Sequence, residues 1–263
     1  MTENPAQTLV VIPTYNEIDN LRPIVQRTLS ATSADVLVVD DASPDGTGEL
    51  ADRLAAELAP RVHVLHRTGK QGLGAAYLHA FSWALNRGYD AVVEMDADGS
   101  HSPEQLPRLL RRLDTADVVL GSRWIAEGGV VDWPLSRRLL SRGGNWYVRR
   151  ALGLDVHDAT GGFRAYRAQA LRAVDLTGVA SHGYCFQVDL VRRALVAGMR
   201  VAEVPITFRE RQYGTSKMSG SIVREALWRV TVWGAASRLG RRTPSDLVGL
   251  PAARPVREAP RAA

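Results

Sequence analysis

The sequence predicts an α/β fold, with a mostly parallel central sheet flanked by helices. Three observations predict it. Short apolar, β-branched runs alternate with helix-like segments through the first half of the chain. Those runs are nearly unbroken in hydrophobicity, as strands buried on both faces are. Several of them end in carboxylates or turn residues, where ligands of open parallel sheets collect.

The first run is TLVVI at 8–12, followed by PTYNE and a helical segment to about residue 30. DVLVVD at 35–40 is the second strand, and DASPDGTGE leads into a helix over 47–59. RVHVLH at 61–66 precedes a helix over 73–87, and DAVVEM at 90–95 precedes one over 103–113. DVVLG at 117–121 closes the series. The second half differs. WPLSRRLLSRGGNWYVRR at 133–150 is helical, with five arginines and no acid. HDATGGFRAYR at 157–167 is a loop entering a short strand, and 186–196 has helical spacing. The segment 200–220 is a strand and a basic loop, and 222–239 is helical. This outlines one domain over 1–240. From 241 the chain turns to Pro, Ala and Arg without periodicity, the pattern of a disordered tail.

Bulk properties narrow the function classes. The 263 residues carry a net charge of +5, which favours anionic partners. The one cysteine, Cys185, precludes an internal disulfide and fits a reducing compartment. No window reaches the roughly 18 apolar residues of a membrane span, and the N-terminus has no signal-peptide pattern. These features predict a soluble or peripherally bound protein. No nucleic-acid recognition module accompanies the basic charge.

The chemistry-bearing residues cluster at the predicted strand ends. Asp96 and Asp98 in MDADGS point two carboxylates at the crevice. Hard divalent ions take such carboxylates together with substrate phosphates. A capped turn explains the same residues, since Asp98, Gly99, Ser100 and Pro103 are all turn formers. Asp40 and Asp41 end the second strand, where a carboxylate accepts hydrogen bonds from a base or ribose; helix capping is the alternative. In PTYNE, Pro13 stiffens the turn, Tyr15 suits a base and Glu17 accepts from base donors. GKQGLGAAY lacks the third glycine of a dinucleotide fingerprint and follows the wrong strand for one. Arg123 follows the fifth strand, and Arg137, Arg138, Arg142, Arg211 and Lys217 add cations suited to clamping phosphates.

Taken together, VVIPTYNE, VVDDASPDGT, GLGAAY, MDADGSHSPE, GSRW, WPLSRRLLSRGGN, DATGGFRAYR and EVPITFRERQYGTSK resemble, in order, the signatures of polyprenol- and dolichol-phosphate mannose synthases in glycosyltransferase family 2. The resemblance extends over nearly the whole chain up to the tail. It implies a GT-A fold and inverting transfer of mannose from GDP-mannose to a polyprenyl monophosphate, giving a lipid-linked mannosyl donor. It implies a guanosine pocket of Pro13, Tyr15, Glu17, Val38 and Asp40. Asp96, Ala97 and Asp98 would line the diphosphate, with both aspartates on Mg²⁺ or Mn²⁺. Ser100 stands where relatives often carry Gln as a third metal contact, so a water is expected to assist there. Arg123, Arg211 and Lys217 would meet phosphates, with Arg123 and Arg137 anchoring the lipid phosphate and Lys217 beside the leaving group. Asp158 and Thr160 would lie near sugar and acceptor. The acceptor is already an anion, so Asp158 is not needed as a base. The implied location is cytoplasmic, peripheral on the inner face of the membrane, with 133–150 and 222–239 as candidate membrane-facing helices and room for a membrane-protein partner. Competing readings are another donor, such as UDP-glucose, or a nucleotide-sugar-binding module without catalysis.

Overall fold

The computed structural model describes residues 7–174, 176, 179, 183–210 and 220–238. The tail from 241, and Arg211 and Lys217, lie outside the described residues.

The first half follows the expected alternation: β1 (Thr8–Thr14), α1 (Ile18–Ala31), β2 (Asp35–Asp40), α2 (Thr47–Glu57), β3 (Val62–His66), α3 (Leu73–Asn86) and β4 (Ala91–Glu94). A 3-10 turn (Pro103–Gln105) leads into α4 (Leu106–Arg112) where one helix was expected, and Pro107 stands in the first turn of α4. Then come β5 (Val118–Ser122), β6 (Gly129–Val131) and α5 (Leu135–Leu152). Trp133 stays outside α5, because Pro134 before it holds an extended ψ of 147°. The chain continues through β7 (Arg164–Arg167), α6 (Ala168–Ala173), α7 (Gly183–Val196), β8 (Val201–Pro205), β9 (Thr207–Arg209) and α8 (Gly220–Arg238).

Among the described residues, seven strands form one sheet in the order β3-β2-β1-β4-β7-β5-β8. The pairs of β1 with β2 and β4, of β2 with β3, and of β5 with β8 are parallel. The exception is β7, antiparallel to both β4 and β5. Its Arg164 lies opposite Glu94 and its Arg167 opposite Ala91, so β7 enters at the carboxyl end of β4. The loop before β7 therefore lands in the crevice.

Alternate strand residues build two cores. Leu9, Val11, Leu37 and Val39 pack with Tyr77, Phe81, Phe186 and Val191 of α3 and α7. Val10, Ile12, Val36 and Val38 pack with Leu21, Val25, Leu54 and Leu109 of α1, α2 and α4. Both faces are thus buried, which is why these strands show no polar alternation. Each such side chain contributes roughly 1.5–3 kcal/mol on burial. A smaller parallel pair, β6 with β9, lies beside the crevice.

Candidate active site

The loops after β1, β2 and β3 form one end of the crevice. Asp45 connects the first two: its carboxylate accepts from Thr47 N at 3.0 Å, Thr47 Oγ1 at 2.6 Å and Ile18 N at 3.3 Å. One side chain thus satisfies amides at the starts of both α1 and α2. Burial works to raise the Asp45 carboxyl, and the Thr47 and Ile18 donors outweigh it and hold it low. Asp40 is tied locally, accepting from Ser43 Oγ at 2.6 Å, Ser43 N at 3.1 Å and Thr14 Oγ1 at 3.2 Å. Asp41 pairs with Arg67, which also donates to His79 Nδ1 at 3.1 Å and Gln71 Oε1 at 3.2 Å. Lys70 sits 4.1 Å above the Tyr15 ring. Glu17 accepts from Asn20 Nδ2 at 2.8 Å while its amide donates to Thr47 Oγ1.

Pro13, Tyr15, Glu17 and Asp40 converge here, but Val38 does not. It is fully buried, paired with Ile12 on one edge and Val64 on the other, with its side chain in the core against α1 and α2. A residue laddered on both edges and packed on its face has no surface to offer a nucleotide. Val38 is a core residue.

Beyond β4, Gly99 takes a left-handed φ of 75° in the turn that carries Asp96, Asp98 and Ser100. The Asp98 carboxylate accepts from Ser100 N at 3.1 Å. Ser100 is buried, and its Oγ has no hydrogen-bond partner among the described residues. Asp96 N donates to His101 Nδ1 at 3.2 Å, leaving the imidazole neutral with its proton on Nε2. Burial pushes His101 down to about 4, and the ring stacks on Phe163 at 5.0 Å. No cluster of three His, Cys, Asp or Glu able to hold a metal occurs among the described residues. What the turn does present is two carboxylates and one orphaned hydroxyl. That donor set fits a hard divalent ion completed by water and substrate oxygens. Ala97, between the aspartates, is buried in the core.

The third part is built by β5, α5 and the loop before β7. Arg123 donates through Nε to Asp158 Oδ2 and through Nη2 to Asp158 Oδ1, both at 2.7 Å, and its amide donates to Oδ2 at 3.0 Å. Nη2 also reaches Thr160 Oγ1 at 3.0 Å. Asn145 of α5 joins from below, donating to Thr160 Oγ1 at 3.1 Å. Burial tends to raise the Asp158 carboxyl, and Arg123 outweighs it and holds it below the usual value. Glu203 of β8 accepts from Asp158 N at 2.9 Å and His157 N at 2.8 Å. Arg137 pairs with Glu210 and stacks on Trp133 at 4.0 Å, while Arg123 lies 5.5 Å from the same indole. Both arginines expected to anchor the lipid phosphate, Arg123 and Arg137, therefore carry carboxylate partners.

A seven-stranded α/β sheet with an acidic turn beyond β4 and paired arginines beyond β5 narrows the families. The profile of glycosyl transferase family 2 matches residues 9–175, more than half of the chain.

The chain belongs to glycosyltransferase family 2.

Family 2 is an inverting class, so the chain is an inverting glycosyltransferase. It is similar to the undecaprenyl-phosphate mannosyltransferase of Micrococcus luteus, 58% identical over 88% of this chain and 96% of that protein. It is also similar to the polyprenol monophosphomannose synthase of Mycolicibacterium smegmatis, 56% identical over 91% of this chain and 92% of that one. Among solved structures, glucosyl-3-phosphoglycerate synthase from Mycobacterium tuberculosis, in complex with Mn²⁺, UDP-glucose and phosphoglyceric acid, superposes with a TM-score of 0.63. That match covers 90% of this chain and 81% of the other at 19% identity, and it carries the fold, which is the expected GT-A type.

Two residues that build the site, Asn145 and Glu203, are absent from the candidates the sequence offers. Asn145 stood in plain view as the polar residue of GGNWY, and Glu203 as the acid of a β-strand, VAEVP. Their role depends on which loop lies beside them, and no local pattern encodes that.

Proposed function

We propose that this family 2 enzyme transfers mannose from GDP-mannose to a polyprenyl monophosphate, with inversion. The observation that carries the reading is identity of 56–58%, over about nine-tenths of the chain, to two proteins named as mannosyltransferases of polyprenyl phosphates. In this reading the nucleoside lies against Pro13, Tyr15, Glu17 and Asp40. Asp96, Asp98 and Ser100 would hold Mg²⁺ or Mn²⁺, with Ser100 direct or through water. The ion would screen the diphosphate and make it a better leaving group. Arg211 and Lys217 are assigned to phosphates from the sequence resemblance alone.

Magnitudes separate the two arginines. Breaking a buried ion pair costs about 3–5 kcal/mol, whereas an exposed pair contributes about 0–1 kcal/mol. Arg123 and Asp158 are both buried; Arg137 and Glu210 are both partly exposed. Arg137 is therefore the cation that exchanges its carboxylate for the lipid phosphate. Arg123 remains bound to Asp158 as a fixed support beside it. Asp158, held ionised by that pair, is a poor proton acceptor, and an anionic acceptor needs none. Catalysis then rests on positioning and charge stabilisation.

The acceptor arrives from a bilayer, and α5 suits that approach. Leu135, Leu139 and Trp146 are 69%, 62% and 67% exposed. At 100° per residue they fall within about 40° of one another. Asn145 and Val148 face inward instead. Trp228 of α8 is 70% exposed, and α8 packs on α5 through Tyr147 Oη and Thr231 Oγ1 at 2.6 Å. Outward leucine and tryptophan among Arg138, Arg142 and Arg150 make an interfacial surface rather than core packing. Among the described residues no helix is long and apolar enough to cross a membrane. Peripheral attachment at the cytoplasmic face follows within this reading.

One assay tests the proposal. Purified protein is incubated with labelled GDP-mannose, Mg²⁺ or Mn²⁺ and a polyprenyl phosphate, with UDP-glucose in parallel. Label from GDP-mannose should enter the organic phase. Its absence there would sink the reading, and label only from UDP-glucose would move it to another donor.

A further inference from the structure

Arg164 is fully buried, on β7 directly opposite Glu94 of β4. A buried guanidinium is ordinarily matched to a carboxylate. Here each of three nitrogens donates to a main-chain carbonyl: Nε to Gly161 O at 2.7 Å, Nη2 to Ala159 O at 2.6 Å and Nη1 to Gln187 O at 2.7 Å. The first two carbonyls flank Thr160, whose hydroxyl accepts from Arg123 and Asn145. The third belongs to α7, and the side chain of the same Gln187 donates to Glu94 Oε2 at 2.8 Å. Glu94 ends β4, two residues before Asp96. One planar fork thus ties the 158–162 loop to α7 and, across the strand pair, to the strand carrying the acidic turn.

We propose that Arg164 is a positioning residue: through the carbonyls of Ala159 and Gly161 it holds Asp158 and Thr160, and so Arg123, in register with the Asp96–Asp98 turn. The inference rests on the proposed transfer for its kinetic meaning. The competing account is that Arg164 only neutralises Glu94 in the core. The two separate in Arg164→Lys. Lysine keeps the charge opposite Glu94 but presents its donors from one atom and cannot fork to three carbonyls.

Two readouts on the full chain test this. Hydrogen exchange at amides 158–162 should quicken at least 10-fold in Arg164→Lys, with amides of β1 and β2 unchanged. This readout needs no substrate. In turnover, kcat/KM for polyprenyl phosphate should fall about 100-fold, the scale of a 1 Å misplacement, while the Kd for GDP-mannose by calorimetry stays within two-fold. Wild-type protection of 158–162 in the variant overturns the proposal, as does wild-type turnover in an active background. Inactive wild-type protein would sink the proposed transfer instead, and hydrogen exchange would still decide the role of Arg164. If Arg164→Lys does not fold, Glu94→Gln with Arg164→Met, which removes both buried charges, is read the same way. Failure of both to fold assigns Arg164 to stability alone and counts against positioning.

Discussion

Arg123 and Asp158 face each other through two parallel 2.7 Å hydrogen bonds, 35 residues apart in sequence and both buried. The pair joins the end of β5 to the loop before β7, and Thr160 and Asn145 surround it.

Asp158→Asn removes the anion and leaves Arg123 buried beside a neutral amide. The expected cost is about 3–5 kcal/mol at pH 7, seen as a lower denaturation midpoint. The sign with pH follows from the depressed carboxyl. A depressed acid stabilises the fold above its unfolded pKa and loses that contribution as pH falls through its folded value. The gap between wild type and variant should therefore narrow below about pH 4. An undiminished gap at pH 3 would show that the charge of Asp158 is not what stabilises the site.

Ser100→Ala distinguishes a ligand from a turn residue. The Ser100 hydroxyl is buried without a partner among the described residues, and an unsatisfied buried hydroxyl costs about 1–3 kcal/mol. Its removal should leave the metal-free melting temperature unchanged or raise it. The Mn²⁺ concentration for half-maximal turnover should rise severalfold. An unchanged metal requirement would exclude Ser100 from the ion's surroundings. Asp98→Ala is expected to reduce turnover to near background.

The outward face of α5 makes a separate prediction. Leu135, Leu139 and Trp146 changed together to Ser should shift stability little, since exposed substitutions usually stay within about ±0.5 kcal/mol each. Co-sedimentation with vesicles containing anionic lipid should drop several-fold. Turnover on a short, water-soluble acceptor should stay near wild type. Equal vesicle binding by both proteins would remove this face from the membrane account.

Gly234 sets how closely α8 approaches α5. A Cβ at this position would lie 2.5 Å from Ala151 O, a backbone atom that cannot swing aside. Gly234→Ala should force the helices apart and cost about 1–3 kcal/mol, read by thermal or urea denaturation. A neutral effect would mean that the two helices are not closely packed in solution.

The sequence by itself determined the alternation of the first half, to within a residue or two at most element ends, because strands buried on both faces need continuous apolar runs such as 35–40. It also determined the acidic turn at Asp96 and Asp98, because the requirement for turn residues and carboxylates after a strand is local. Family signatures spread along the chain then gave a transferase. Only the tertiary structure decided the rest. The antiparallel course of β7 depends on α5 returning the chain to the carboxyl end of β4. Val38 lies in the core because its neighbours on both edges are strands distant in sequence. The outward facing of Leu135, Leu139 and Trp146 depends on which side of α5 meets the protein. The partners of Arg123, Arg137 and Arg164 are 35, 73 and as little as three residues away, yet even the nearest needs the loop folded back on the strand. An arginine's charge is written in the sequence, but what neutralises or orients it is a matter of distance in space.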